Sequence, residues 1–226
     1  MKRSFAIGDI HGCVCTFRHL IYCVLKVRRG DTVYLLGDYI DRGPDSKGVI
    51  DEIIALQSAG HDIKPILGNH EDLLLKAVDS VGDDSYGAWM LNGGKATLRS
   101  YGVSLPEDIP AAHLEFLRNL PPCRMTRRHI MVHAGLDFRQ DNPLTETSRE
   151  FMLWERRSMF DSDKLAGRKL VTGHTIMDLD SIRGSLKSDH IRLDNGCFYG
   201  RNHPDKGNLV ALELNSGELI VQQYKG

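Results

Sequence analysis

The sequence predicts an α/β fold in which two packed mixed β-sheets are flanked by helices, with a helical insertion. In the first third of the chain, short apolar runs alternate with segments of helical periodicity, a rhythm typical of β-α-β units with parallel strands. Strand-like runs return in the second half and require a second sheet. Between these regions, residues 71–119 have a helical pattern that Gly and Pro break into short pieces.

Each strand is predicted from a short apolar run bounded by turn residues, and each helix from apolar positions three or four residues apart. The predicted strands are 4–7, 32–36, 63–67, 130–132, 169–172, 191–193, 209–214 and 219–223. Helices are predicted over 16–27 and 46–58, the second ending at Gly60. Asn215, Ser216 and Gly217 predict a hairpin between the last two strands.

Length and composition limit the class of protein. A chain of 226 residues with 41% hydrophobic residues is expected to form one domain, 1–226. The formal net charge of −1 argues against a nucleic-acid binder with a strong basic field. No segment approaches the roughly 18 apolar residues of a membrane span, and the apolar stretch near the N-terminus is too short for a signal-peptide core. Five cysteines without a CxxC pair fit a reducing compartment, so we expect a cytoplasmic protein with no membrane partner.

Five predicted strands end in short turns that contain Gly together with acidic, amide or imidazole side chains. In chain order, these turns are GDIHG at 8–12, GDYIDRG at 37–43, GNHE at 68–71, HAG at 133–135 and GH at 173–174. Ligands of open α/β sheets bind at the carboxyl ends of the strands, so turns that are distant in sequence can converge there. We therefore expect one site to collect all five.

The side chains in these turns form a mixed oxygen and nitrogen ligand set without a thiolate. Its members are the carboxylates of Asp9 and Asp38, the amide of Asn69, and the imidazoles of His11, His133 and His174. This set suits Mn²⁺, Fe or Zn²⁺ better than Ca²⁺. Six ligands exceed the needs of one tetrahedral site, and a carboxylate that bridges two ions would account for the excess.

The five motifs, in this order, resemble the signature of the phosphoprotein phosphatase family of calcineurin-like metallophosphoesterases. The resemblance runs from Asp9 to His174 and extends through 193–196. Within that family, the sequence is most similar to the short bacterial and phage-type serine/threonine phosphatases. Like them it is expected to form a compact catalytic domain, and Leu-Trp-Glu-Arg at 153–156 resembles their Trp-x-Arg element.

The resemblance implies a centre of two divalent ions, with Mn²⁺ favoured and Fe or Zn²⁺ as alternatives. It places Asp9 and His11 on the first ion, Asn69, His133 and His174 on the second, and Asp38 between them.

The resemblance also implies roles around the phosphate. His70 corresponds to the general acid that protonates the leaving oxygen, and Asp41 to its orienting carboxylate. Arg42 and Arg156 correspond to the phosphate clamps, and Asn69 also lies at the phosphate. These residue types suit the chemistry, because a guanidinium grips two phosphate oxygens and a histidine beside a carboxylate keeps its proton near neutral pH.

The activity implied is that of a metal-dependent phosphomonoesterase acting on phosphoserine or phosphothreonine in proteins, by direct attack of a hydroxide held by both metals. Many protein phosphatases of the family have Arg before Gly-Asn-His-Glu, whereas this chain has Leu67. The Leu-Gly-Asn-His form resembles the bacterial symmetrical dinucleoside tetraphosphatases, so a nucleotide polyphosphate is the alternative substrate. A catalytically dead protein-binding scaffold is less favoured, because every ligand and the acid are present.

Residues outside the motifs are interpreted as structural. Trp89 and Trp154 are expected in the core. The basic cluster Arg127-Arg128-His129 is expected to be solvated surface rather than a nucleic-acid site.

Overall fold

The computed structural model describes residues 2–79, 84–157 and 159–226. Ten strands lie in these ranges: β1 Ser4–Ile7, β2 Thr32–Leu35, β3 Asp62–Pro65, β4 Cys123–Met125, β5 His129–Val132, β6 Lys169–Thr172, β7 His190–Arg192, β8 Asp194–Asn195, β9 Asn208–Glu213 and β10 Leu219–Gln223. All eight predicted strands are present, with ends shifted by at most two residues. The short strands β4 and β8 were not predicted.

Nine α-helices lie in the same described ranges: α1 Val14–Arg18, α2 Ser46–Ser58, α3 Asn69–Asp79, α4 Ser85–Trp89, α5 Lys95–Tyr101, α6 Ala111–Arg118, α7 Pro143–Glu146, α8 Arg149–Trp154 and α9 Leu179–Ser185. Short 3₁₀ segments cover Pro106–Asp108, Ser162–Leu165 and Cys197–Asn202. The predicted insertion is therefore confirmed as a series of short helices from α3 to α6. No helix in the described part of the chain is long and apolar enough to cross a membrane.

The strands form two mixed sheets, which confirms the predicted fold class. The larger sheet has the order β10-β9-β1-β2-β3, with β8 paired to β9. In it, β1, β2 and β3 are parallel and β9 is antiparallel to β1. The smaller sheet has the order β4-β5-β6-β7, with β5, β6 and β7 parallel.

Apolar side chains from both sheets pack together in one layer. The buried residues of this layer are Ala6, Leu36, Ile66, Met131, Val171, Ile182, Ile191, Leu193, Val210, Leu212 and Leu214. A larger cluster, including Phe17 and Ile50, packs α1 and α2 against the outer face of the large sheet. Because two parallel sets of strands face each other in this way, the turns after β1, β2, β3, β5 and β6 meet at one edge.

Local signals define the helix ends, with one departure from the prediction. The Asp45 carboxylate caps α2 by accepting the Gly48 N–H at 2.8 Å. The helix predicted over 16–27 begins at Val14 and changes after Arg18 into a π-helix, His19–Leu25. It ends at Lys26, whose φ of 48° is left-handed.

Candidate active site

The five motif turns meet in one buried cluster. Asp9, His11, Asp38, Asn69, His133 and His174 are each at most 5% exposed. The backbone of these turns is unusually strained, because five of the seven non-glycine residues with positive φ in the described chain lie here: His11, Asp38, Asp41, Arg42 and His174. Such conformations cost free energy and persist where surrounding structure enforces them, which is typical of functional sites.

Asp38 is at the centre of the cluster. Its Oδ2 lies 3.5 Å from His11 Nε2, and its Oδ1 lies 3.4 Å from His133 Nε2. Two groups of metal-ligating atoms, each within 4.8 Å, can be formed: His11, Asp38 and His70, and Asp38, His133 and His174. Asp38 is the one residue common to both groups, as expected of a bridging carboxylate.

Two residues differ from their predicted roles in these groups: Asp9, predicted as a ligand, is absent from both, and His70, predicted as the acid, is present in one. Asp9 is in neither group among the described residues, and its two carboxylate oxygens accept the His174 N–H at 3.2 and 3.0 Å. His70, predicted as the acid, is a member of the first group, with Nε2 3.8 Å from Asp38 Oδ2. Asp9 nevertheless lies in the same buried cluster, one residue from Ile10, whose N–H donates to the Asp38 carbonyl.

Backbone carbonyls orient two of the imidazoles. His11 Nδ1 lies 2.8 Å from the Ile40 carbonyl, and His133 Nδ1 lies 2.7 Å from the Leu36 carbonyl. A carbonyl only accepts, so each Nδ1 carries a proton, and each Nε2 faces the cluster, where a neutral imidazole would present its lone pair to a metal ion. This arrangement of an outer carbonyl and an inner lone pair is common for metal-binding histidines.

The Asn69 amide oxygen lies between the His133 and His174 imidazoles. This oxygen, Oδ1, lies 2.8 Å from His133 Nε2 and 3.0 Å from His174 Nδ1. Asn69 is also the first residue of α3, so the GNHE motif forms the start of a helix, two residues before the predicted helical region begins.

The charges in the cluster fit a divalent cation centre. Burial, reinforced by the charge of Asp194, raises the pKa of Asp9 well above its usual value. Burial likewise raises the pKa of Asp194 to about 6, with Asp38 adding to the shift. Buried carboxylates that repel one another are stabilised when cations lie between them. The imidazole Nε2 atoms of His70 and His174 are also buried without a hydrogen-bond partner within the described structure, so the residues present fit such a centre.

His70 and Asp41 form a buried pair beside the cluster. His70 Nδ1 lies 2.7 Å from Asp41 Oδ2, and both side chains are fully buried. Asp41 also accepts hydrogen bonds from the Trp89 indole at 3.1 Å and from the Thr97 hydroxyl at 2.6 Å. The helical insertion therefore fixes the carboxylate that orients His70. Trp89 is buried as predicted, but its interpretation as a core residue alone was incomplete.

Glu71 connects two of the motif turns, a role that the sequence analysis did not predict. Its Oε2 accepts the N–H groups of Asp38 and Gly68, and its Oε1 accepts those of Tyr39 and Ile40. One carboxylate thus joins the turn after β2 to the turn after β3. Burial, with the charge of Asp38, raises the pKa of Glu71 to about 7.

The two predicted phosphate clamps lie at the rim. Arg42 is half-buried, with Nη1 2.9 Å from His11 Nε2, and its guanidinium lies 4.8 Å from the centre of the Phe198 ring. Arg156 is exposed and contributes to lowering the pKa of His174 to about 3, a shift caused chiefly by burial. Trp154, two residues earlier, meets the His174 ring edge-on at 6.5 Å.

Leu67 does not lie at the rim with these arginines. It is 1% exposed and belongs to the large apolar cluster, and its N–H donates to the Pro121 carbonyl. Position 67 therefore adds no third guanidinium group to those of Arg42 and Arg156 near the cluster.

Paired mixed sheets, a buried Asp/His/Asn cluster at the strand ends and two adjacent guanidinium groups define a class of enzyme, the metal-dependent phosphoesterases. The chain belongs to the calcineurin-like phosphoesterase family, whose family profile matches residues 3–203.

Similar proteins carry a more specific name. A symmetrical bis(5'-nucleosyl)-tetraphosphatase from Acidovorax sp. (strain JS42) is 35% identical over 136 residues, which cover 58% of this chain and 43% of that protein. A protein of the same name from Chromohalobacter salexigens is 36% identical over 282 aligned positions, which cover 97% of each chain. A solved structure provisionally described as a diadenosine tetraphosphatase has a TM-score of 0.66 at 24% identity, over 100% of this chain and 95% of that chain, and shows the shared fold. The chain spans less than half the length of several relatives that it matches.

Proposed function

We propose that this chain acts as a single catalytic domain that hydrolyses dinucleoside tetraphosphates symmetrically. The observation that carries the proposal is the relative from Chromohalobacter salexigens, which has that name and aligns over nearly the whole of both chains. The alternative substrate of the sequence analysis is thereby favoured over a phosphoprotein. Symmetrical cleavage adds one water across the central P–O–P bridge of diadenosine tetraphosphate and yields two ADP.

Two divalent ions would be held by the residues of the cluster. Asp9 and His11 would hold one ion, Asn69, His133 and His174 the other, and Asp38 both. Bound divalent ions supply a water of lowered pKa and neutralise phosphate oxygens. Mn²⁺ remains the favoured ion, because the ligand set is mixed oxygen and nitrogen.

The remaining residues act on the substrate. Arg42 and Arg156 would bind phosphate oxygens by bidentate hydrogen bonds, and the Asn69 amide would contact the phosphate. His70 would deliver a proton from Nε2 to the leaving oxygen, since its Nδ1 is engaged by Asp41 and its Nε2 is free within the described cluster.

Two features favour a polyphosphate over a phosphoprotein. With Leu67 in the core, the site has fewer guanidinium groups for a compact phosphomonoester dianion than protein phosphatases that have Arg at this position. Arg42 follows β2 and Arg156 follows α8, so two separate segments offer guanidinium groups to a chain of several phosphates.

The test compares substrates at equal concentration in the presence of Mn²⁺. We expect release of ADP alone from diadenosine tetraphosphate, at a kcat/KM at least tenfold above that for a phosphoserine peptide. In H₂¹⁸O, the label should enter the β-phosphate of one ADP by direct attack of water. Faster release of phosphate from the peptide, or products of AMP and ATP, would contradict the proposal.

Serine/threonine phosphatase activity is the second candidate. The intact Asp41-Arg42-Gly43 sequence favours it, because this form is more similar to the protein phosphatases. The same substrate comparison decides between the two.

A further inference from the structure

A row of aromatic rings leads from the metal-ligand cluster to the protein surface. Phe198 meets the His11 ring edge-on at 5.2 Å, and the Arg42 guanidinium lies over its face at 4.8 Å. The Tyr199 ring follows, 4.4 Å from Phe198 between ring centres, and the His203 ring lies 5.6 Å beyond Tyr199. We call Phe198, Tyr199 and His203 the aromatic row.

Tyr199 combines exposure with a fixed position. Its residue is 37% exposed, although a large aromatic ring gains free energy when it is buried. The ring packs on Gly196, where an added Cβ would lie 2.7 Å from Tyr199 Cδ2. The Tyr199 N–H also donates to the Gly196 carbonyl at 2.9 Å. A ring that is held on one side and open on another is preorganised for a flat partner, since little side-chain entropy is lost on contact.

The guanidinium of Arg42 beside the aromatic row indicates which kind of substrate group the row can bind. Arg42 lies between the cluster and the row, since it contacts both His11 and Phe198. A phosphate bound by Arg42 would therefore place the next part of its substrate towards Tyr199. In a nucleotide, that part is a sugar with a planar base, and aromatic side chains stack on bases of any sequence. A phosphoserine peptide carries no ring at a fixed distance from its phosphate.

We propose that the aromatic row is a nucleobase subsite, in which Tyr199 stacks on one base of the substrate. This inference rests on the proposed function and names the part of the substrate that the site recognises. Phe198 supports both Tyr199 and the Arg42 guanidinium, and so links base binding to phosphate binding.

The test uses two inhibitors that differ by the presence of a nucleoside. Inhibition constants for ADP and for pyrophosphate are measured against p-nitrophenyl phosphate hydrolysis with saturating Mn²⁺. In Tyr199→Ala, we expect the constant for ADP to rise about 5- to 100-fold, the usual effect of removing one stacked ring, while that for pyrophosphate stays within twofold. Tyr199→Phe should behave like the wild type.

Two further variants control for structural effects. Tyr199→Leu retains apolar packing on Gly196 and should still lose ADP affinity, which separates stacking from folding. Tyr22→Ala removes a tyrosine that is 52% exposed on the helix after α1, and should change neither constant. Equal rises for ADP and pyrophosphate, or unchanged ADP inhibition in Tyr199→Ala and Tyr199→Leu, would overturn the subsite. Failure of the wild type to cleave diadenosine tetraphosphate would contradict the proposed function instead, because the inhibitor comparison does not depend on that reaction.

Discussion

The carboxylate of Glu71 provides the sharpest test of how the site is built. In Glu71→Gln, one of the two carboxylate oxygens becomes an NH₂ group of almost the same size. Each oxygen accepts two backbone N–H groups, from Asp38 and Gly68 on Oε2 and from Tyr39 and Ile40 on Oε1. Whichever way the amide turns, two buried donors lose their acceptor and face another donor.

The expected loss follows from that count. A buried donor left without a partner costs about 1–3 kcal/mol, so two cost about 2–6 kcal/mol. Such a loss is a large part of the stability of a typical domain, about 5–15 kcal/mol. Because the Asp38 N–H is one of the donors, the turn that carries the shared ligand should also lose its position, and metal affinity should fall.

The assay is urea unfolding at about pH 8.5, above the pKa of about 7 of Glu71, with metal content measured on the same samples. Glu52→Gln is the matched control, because Glu52 is also buried but accepts side-chain donors, Arg18 and Tyr22, instead of backbone N–H groups. We expect it to cost about 1 kcal/mol or less and to retain metal. If Glu71→Gln costs less than about 1 kcal/mol and binds both metals, Glu71 is protonated in the fold and does not join the two turns as an anion.

Three other predictions concern single side chains. Asp38→Asn should lose more activity than any other ligand substitution, together with metal, because one carboxylate faces both ligand groups; normal turnover with two metals bound would disprove the bridge. His70→Asn should retain metal and lower kcat about 10²–10⁴-fold for an alkyl phosphate. The loss should be smaller for p-nitrophenyl phosphate and diadenosine tetraphosphate, because their leaving groups are less basic. Equal losses for all three substrates would exclude His70 as the acid. Burial lowers the pKa of His190 to about 4, whereas an unfolded histidine has a pKa of about 6.5. Between these two pH values the unfolded chain binds a proton that the folded chain does not. The free energy of unfolding should therefore fall by roughly 3 kcal/mol as the pH drops from 6.5 to 4. His190→Gln should remove most of that dependence in pH-resolved unfolding; an unchanged slope would refute it.

The parts of the fold and site that could be predicted are those encoded by neighbouring residues. The turn after β2 illustrates this, because an apolar strand, a glycine and Asp38 follow one another directly in the sequence. Strand-end position and side-chain chemistry were enough to bring the six proposed ligands together as a hypothesis. The departures in the fold are also local: β8 has two residues, too few for an alternating pattern, and the π-helix His19–Leu25 has apolar spacing close to that of an α-helix.

The supporting contacts could not be predicted, because they join residues with no sequence relationship. Thr97 and Trp89 donate hydrogen bonds to Asp41 across 56 and 48 positions, and nothing in the spacing of the insertion indicates that it holds the pair of Asp41 and His70. Glu71 was visible within the GNHE motif, but its role depends on four backbone N–H groups whose directions exist only in the folded turns. An acidic residue directly after the histidine predicted as the acid is the sequence signal that could have identified it.

These contacts explain how strained turns can carry the site. Asp38, Asp41 and Arg42 have φ values of 52°, 69° and 64°, conformations that cost non-glycine residues free energy. Glu71 accepts the N–H of Asp38, and Ser46 and Thr97 accept the N–H of Asp41, so hydrogen bonds from three separate elements oppose that cost. In this backbone conformation, the Asp38 side chain faces both ligand groups and the Arg42 side chain contacts Phe198 of the aromatic row. Metal binding, phosphate binding and base recognition would therefore depend on one short segment, which makes the backbone of residues 38–42 the element whose position limits all three.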